Sequence, residues 1–191
     1  MDASDLEVHR LDAARRGDFF GMHCDAKGTG WCYCVAWHVP TWDGWPERSD
    51  AENRALRAEL FERGVHDGYL LYRAGQPIGW CQAAPRDGFP KLVRQLDLAP
   101  DPEAWALTCF AVQPGHRRQG LARALLDRVL DDLARRGVRR VEAFPKRGAD
   151  LEEGRLWNGP EAMFLAAGFR VLRDHPERPV LGRELAVDGA R

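Results

Sequence analysis

Apolar positions along this chain change their spacing from segment to segment, and the changes mark out its elements. Leu121, Leu125, Leu126, Val129, Leu130 and Leu133 fall three and four residues apart, with Arg123, Asp127, Arg128, Asp131, Asp132 and Arg135 on the other side. That is the stripe of a surface helix with one buried face. Gly137 follows as a left-handed stop, and Arg135 and Arg136 lie in the last turn, where the helix dipole favours cations. Before this helix, Trp105 to Val112 is an apolar run of strand length; after it, Val138 to Phe144 reads as a second strand. Together they form a strand–helix–strand unit, and the rest of the chain is organised around it.

The flanking patterns are shorter. Leu6 to His9 predicts a first edge strand, and Asp12 to Phe20 a helix capped by Asp12. Ser49-Asp50-Ala51-Glu52 carries the capping-box arrangement, so a helix is predicted through Asn53 to Arg63, stopping at Gly64 and burying Leu56, Leu60 and Phe61. Tyr69 to Arg73 and Ile78 to Ala84 bracket Ala74-Gly75-Gln76-Pro77 as a hairpin. Pro85 to Pro102 is polar and proline-containing, with a short helical turn at Lys91 to Leu96; it is expected to cross the surface with Arg86 and Lys91 solvated. Phe169 to Arg173 and Val180 to Val187 read as the last two strands. With no repeat and no dividing linker, residues 1–191 are read as one domain.

Composition narrows the function classes. At 191 residues and 45% hydrophobic, the chain can bury a core of its own. Its net charge of −1 gives no support for a bulk nucleic-acid binder, so any cationic chemistry must be local. No apolar run reaches the roughly 18 residues of a membrane span, and Met1-Asp2-Ala3-Ser4-Asp5 lacks the basic start of a leader. The expectation is a cytoplasmic protein with neither nucleic-acid nor membrane partners.

Five cysteines, an odd number, fit reduced thiols better than a disulfide scaffold. Cys24, Cys32 and Cys34 cluster near His23 and His38, yet their spacing is not the paired Cys-x-x-Cys of structural zinc sites, and no metal is expected. The same segment, 28–45, holds Trp31, Tyr33, Trp37, Trp42 and Trp45; its aromatics either close the core over a loop or line a ligand pocket.

The candidate chemistry sits where the central strand meets the long helix. Arg117, Arg118, Gln119, Gly120, Leu121 and Ala122 combine cations with small residues at a helix mouth, whose first N–H groups lack partners and carry partial positive charge. Such a turn can hold a diphosphate on main-chain amides, with Arg117 or Arg118 reaching an outer phosphate. The run Val112 to Ala122 fits the form Val-x-Pro-x-x-Arg-x-x-Gly-x-Ala. Later, Gly159-Pro160-Glu161-Ala162-Met163-Phe164-Leu165-Ala166-Ala167-Gly168-Phe169 ends in Gly-Phe. In these two stretches, taken in order, the chain resembles the GNAT superfamily of acyl-CoA-dependent N-acetyltransferases.

The resemblance implies an α/β fold: a single domain with a mixed, mostly antiparallel sheet of about six to seven strands flanked by about four helices. It implies acetyl-CoA as acyl donor, its diphosphate on the Arg117 to Ala122 loop. The main chain of Phe110, Ala111 and Val112 would pair with the pantetheine arm and offer an N–H to the thioester oxygen. On the closing helix, Phe164 stands where the superfamily usually carries a tyrosine acid, and a phenyl ring has no proton to give. Glu142 is the only carboxylate on the strand that often supplies the base. Ala106 occupies the position where some protein-lysine acetylating members carry a Glu, which weakens a protein-lysine reading. The segment 145–159 is an insertion relative to the common pattern, either a flexible loop or a lid.

Three functions follow: transfer of acetyl directly to a small-molecule amine, a non-catalytic acyl-CoA sensor, or acetylation of a protein N-terminus or lysine. The resemblance leaves room for a homodimer.

Overall fold

The computed structural model describes residues 5–24, 30–147 and 157–186. Among them seven strands form one sheet: β1 (Leu6–Arg10), β2 (Gly68–Arg73), β3 (Gln76–Pro85), β4 (Ala104–Val112), β5 (Arg140–Ala143), β6 (Arg170–Arg173) and β7 (Val180–Glu184). Their order across the sheet is β1-β2-β3-β4-β5-β7-β6. Every adjacent pair is antiparallel except β4 and β5, which run parallel because a helix carries the chain from one to the other. That helix is α4 (Leu121–Arg135); the others are α1 (Arg16–Met22), α2 (Asp50–Glu62), α3 (Pro90–Gln95) and α5 (Glu161–Ala166). The sheet matches the mixed, mostly antiparallel α/β fold that the resemblance implies, with five α-helices among the described residues where about four were expected.

Local rules place the elements. Ser49 caps α2 with both bonds of the capping box present. Asp12 accepts from the Arg15 amide at 3.0 Å and opens a single 3₁₀ turn that leads into α1. Ala74 and Gly75, at φ 48° and 74°, form the tight two-residue loop between β2 and β3. Leu121, Leu125, Leu126, Val129, Leu130 and Leu133 of α4 are all buried against one face of the sheet, at roughly 2 kcal/mol each. The opposite face is covered by α1 and α2, whose Phe19, Met22 and Phe61 pack with Leu70, Tyr72 and Trp80.

Two expectations fail here. Leu56 is only half-buried; the inner face of α2 presents Asn53 and Arg57 beside Leu60 and Phe61. Arg86 and Lys91 are not solvated but buried. Arg86 donates to both oxygens of Glu142, at 2.9 and 3.1 Å. Lys91 sits 3.4 Å from the centroid of the Trp42 ring and donates to the Thr41 carbonyl. Each cation was read as solvated because its partner lies 50 or more residues away in sequence.

Two features of β4 position the site. Its pairing with β5 ends at Leu107 opposite Ala143, whereas β4 continues to Val112, so the parallel pair opens into a wedge. Its pairing with β3 skips Thr108: Gln82 faces Cys109 and Ala83 faces Leu107. The extra residue is a β-bulge, which re-aims the strand beside the wedge.

Candidate functional site

At the mouth of the wedge the chain turns from β4 into α4. Pro114–His116 makes a 3₁₀ turn, Arg118 takes φ 60° and Gly120 takes φ 75° as the residue before the helix. A Cβ at Gly120 would touch nothing within 4 Å, so glycine is favoured there by its left-handed backbone rather than by crowding. No side chain caps α4. The first N–H groups of the helix, having no carbonyl one turn earlier, therefore point outward with the positive end of the dipole. Arg117 is braced across the turn, its Nε donating to the Val112 carbonyl at 3.0 Å.

This turn opens into a cavity of about 770 Å³. Arg117, Arg118, Gly120, Leu121, Ala122 and Arg123 line one end, with His116 beside them. Phe110, Ala111 and Val112 of β4 line its middle with Pro160 and Met163. At the far end stand Trp31, Trp45, Cys32, Cys34, Cys109 and His23.

The far end is held by a buried polar frame. Arg57 donates to the Tyr33 and Cys34 carbonyls at 3.0 and 2.8 Å and to Asp67 at 2.6 Å. It thereby fixes the left-handed turn at Tyr33 and Cys34, φ 43° and 50°. Burial would raise Asp67, but Arg57 and then His38 outweigh it and hold the carboxyl well below the usual range. Gln82 joins this frame to the cavity: its Nε2 donates to Asp67 and the Cys34 carbonyl, and its Oε1 accepts from the Thr108 hydroxyl at 2.8 Å.

Charge is unwelcome at this end. His23 donates from Nδ1 to the Phe19 carbonyl at 3.1 Å, leaving the Nε2 lone pair facing Cys34 Sγ at 3.5 Å. Burial lowers its pKa from 6.5 to about 3. The Cys34 thiol donates to Cys109 Sγ at 3.1 Å, and burial pushes Cys34 up. Cys32 is raised by its hydrogen bond with Cys34 and then by burial. All five cysteines are free thiols. Among the described residues no three His, Cys, Asp or Glu side chains are grouped to hold a metal.

Of the residues named from sequence, Phe110, Ala111, Val112, Arg117, Arg118, Gly120, Leu121 and Ala122 come together on this cavity. Gln119 turns away, accepting from Arg73 at 3.0 Å through its side-chain oxygen. Phe164 is fully buried between Phe110 and Phe169 instead of lining the cavity; its neighbour Met163 lines it. Glu142 is off the cavity as well, clamped by Arg86 and approached by Arg140 Nε at 3.5 Å. A carboxylate so committed holds β5 to the segment before α3 and is not poised to take a proton from an amine.

Of the main chain of Phe110, Ala111 and Val112, expected to meet the pantetheine arm and the thioester oxygen, the Phe110 N–H donates to the Trp157 carbonyl at 2.6 Å. Asn158 Nδ2 donates to the Thr108 carbonyl at 3.0 Å, so Trp157 and Asn158 lie along β4 where β5 has left it. Most of the expected insertion, residues 148–156, lies outside the described residues.

His23, Gln82, Cys109, Arg123, Trp157 and Met163 were not singled out as site residues from sequence. Only the aromatic and cysteine density of segment 28–45 gave a signal, and it could not tell Trp31 and Trp45, which face the cavity, from Trp37, which is buried beneath Phe89 and Phe144.

The profile of the acetyltransferase (GNAT) family matches residues 31–150. None of the curated proteins matches the chain. Among solved structures, the ribosomal-protein-S18-alanine N-acetyltransferase of Escherichia coli is 16% identical with a TM-score of 0.54, covering 96% of this chain and 96% of that one. An acetyltransferase from Thermus thermophilus is 19% identical with a TM-score of 0.54, covering 97% and 100%. The PaiA N-acetyltransferase of Thermoplasma acidophilum, in complex with coenzyme A, is 10% identical with a TM-score of 0.55, covering 94% and 98%. At these identities the likeness speaks to fold alone.

Proposed function

The chain belongs to the acetyltransferase (GNAT) family, whose acyl donor is acetyl-CoA, and on that premise we propose that it transfers acetyl directly to the amine of a small molecule. One observation carries the reading: a single cavity runs from the uncapped mouth of α4, beside Arg117, Arg118 and Arg123, to an apolar wall of Trp31 and Trp45. The first end suits a diphosphate. The second suits a compact acceptor, since ligand sites are concave and mostly apolar with few polar groups.

The residues divide the work accordingly. The α4 amides and neighbouring arginines hold the anionic part of the donor, while β4 from Phe110 to Val112 guides its arm toward the bulge. The acceptor nitrogen attacks the thioester carbon, the carbon–sulfur bond breaks, and the electron pair leaves on sulfur. With Phe164 in the tyrosine position, no phenol supplies the departing proton. A coenzyme thiolate, its conjugate acid near the thiol value of about 8.5, leaves with little help. The proton shed by nitrogen passes to that thiolate or to water.

The test pairs binding with turnover. Gly120→Glu sets a like charge and a side chain at the donor's diphosphate, on a backbone L residues rarely adopt. Its affinity for acetyl-CoA by calorimetry should fall by about tenfold or more, roughly 1.4 kcal/mol, with an unchanged circular dichroism spectrum. Unaltered affinity rules out the helix mouth as the donor site. Thiol release from wild type with small amines, measured beside a peptide arm with free N-termini and lysines, decides the acceptor. Donor binding without release on any arm makes the protein a sensor.

A further inference from the structure

The acceptor end of the cavity discriminates by charge as well as by shape. Trp31 and Trp45 pack with ring centroids 5.2 Å apart, both half-buried, so the faces they leave open are apolar platforms. Cys34 and Cys109, their thiols held protonated, line the same cavity. Burial drives His23 to its uncharged form, and Cys34 likewise. A ligand ammonium brought to the same place loses its water in the same way.

The fixed charges nearby offer a ligand cation no anion. Arg117 and Arg118 stand at the donor end, where the diphosphate would meet them, and Arg123 is paired with Asp127 at 2.9 Å. Behind the tryptophan wall, Lys91 Nζ lies 3.4 Å from the Trp42 centroid and 5.7 Å from that of Trp45. The protein's own lysine therefore already sits near one ring of the wall, Trp45, with its closer contact on Trp42 outside the cavity. Asp67, one layer behind Gln82, is bound by Arg57 and His38. Among the described residues, no Asp or Glu lines the cavity.

From this juxtaposition of tryptophan faces and thiols in a cavity whose described lining holds no carboxylate, we infer that the acceptor is a ring-bearing amine of low basicity, an aromatic amine or aryl hydrazine, entering uncharged. The inference rests on the acetyl-CoA reading and goes beyond it. It also fits a site whose Glu142 is clamped by Arg86: an aromatic amine holds its lone pair free at neutral pH and needs no base before attack. The nitrogen bonds to the acetyl carbon, coenzyme A leaves as thiolate, and the acidic N–H of the acylated nitrogen passes its proton to that thiolate, giving an anilide and free thiol.

Thiol release by the full chain should be compared for aniline, phenylhydrazine, benzylamine and spermidine. Benzylamine carries the same ring on a nitrogen that is protonated at neutral pH. Aniline or phenylhydrazine should exceed both aliphatic amines in kcat/KM by about tenfold or more. The rate should stay flat from about pH 6 to about pH 8, since the acceptor has no proton to lose there. Trp31→Ala should raise KM for aniline more than it lowers kcat. Preference for benzylamine or spermidine overturns the inference, as does a rate climbing about tenfold per pH unit or a chain that binds acetyl-CoA and turns over neither aromatic amine. Calorimetry on the same preparation keeps the two readings apart. No acetyl-CoA binding means the donor reading itself has failed; binding with an aliphatic preference removes only the acceptor class.

Discussion

His23 shows what burial does to a single residue. Its ring stacks on Phe19 at 4.1 Å, its Nδ1–H is spent on the Phe19 carbonyl, and it titrates at about 3 against 6.5 when solvated. A base whose folded pKa is depressed makes the unfolded chain the better proton binder below the solvated value, so stability falls as pH drops from about 6.5 toward about 3. Asp67, also depressed, keeps its stabilising contribution until pH falls through its solvated value of 3.8. The interval from about 4.5 to 6.5 therefore isolates the histidine. Urea unfolding at pH 7 and pH 5 should show wild type losing about 2 kcal/mol more than His23→Gln, at roughly 1.4 kcal/mol per pH unit. Equal losses would mean that His23 is reached by protons in the folded state. At the acidic partner, Asp67→Asn leaves the Arg57 guanidinium buried without its anion. It should cost about 3 to 5 kcal/mol by chemical denaturation, whereas a cost near zero would show that the frame around Cys34 stands without it.

Among the elements, those encoded by local spacing were legible in the sequence and those made by distant pairing were not. The stripe of α4, its stop at Gly137 and the Ser49 box of α2 each depend on residues within a few positions of one another and formed as read, and the hairpin formed with a tighter loop, Gln76 and Pro77 joining β3. The turn from Arg117 to Gly120 that opens α4 was readable for the same reason. Arg86 on Glu142 joins positions 56 apart, and Trp157 on Phe110 spans 47; nothing in a spacing pattern announces either. That is why a carboxylate on β5 looked like a base and a β4 amide looked available. The seam along β4 is itself testable. Asn158 donates to Thr108 and accepts from Arg178 at 3.2 Å, and it is fully buried. Asn158→Ala should lower stability by about 1 to 3 kcal/mol, because the Thr108 carbonyl loses a partner away from water. Amide exchange at Phe110 should quicken markedly in the same variant. Unchanged protection there would show that the Trp157 contact does not depend on its neighbour.

At the scale of the molecule, β4 belongs to both cores. Leu107 and Phe110 pack toward α4, Cys109 packs with the α1 and α2 side, and the wedge left by β5 lets the cavity reach from one to the other. A donor seated at the α4 mouth and along β4 therefore touches parts of the fold that unfold together, and its binding energy should appear as stability of the whole domain. At a free acetyl-CoA concentration of 100 times Kd, the gain should be about 2.7 kcal/mol. For a chain of this length that corresponds to a Tm rise of about 5 to 10 °C. His23→Gln, which leaves the α4 mouth untouched, should keep most of that rise. Gly120→Glu should lose about half of it or more at the same free ligand, because a tenfold weaker Kd leaves only about 1.4 kcal/mol. A full Tm rise in Gly120→Glu would put the ligand somewhere other than the helix mouth, and a local rise in amide protection without a Tm shift would mean that the two sides of the sheet unfold separately.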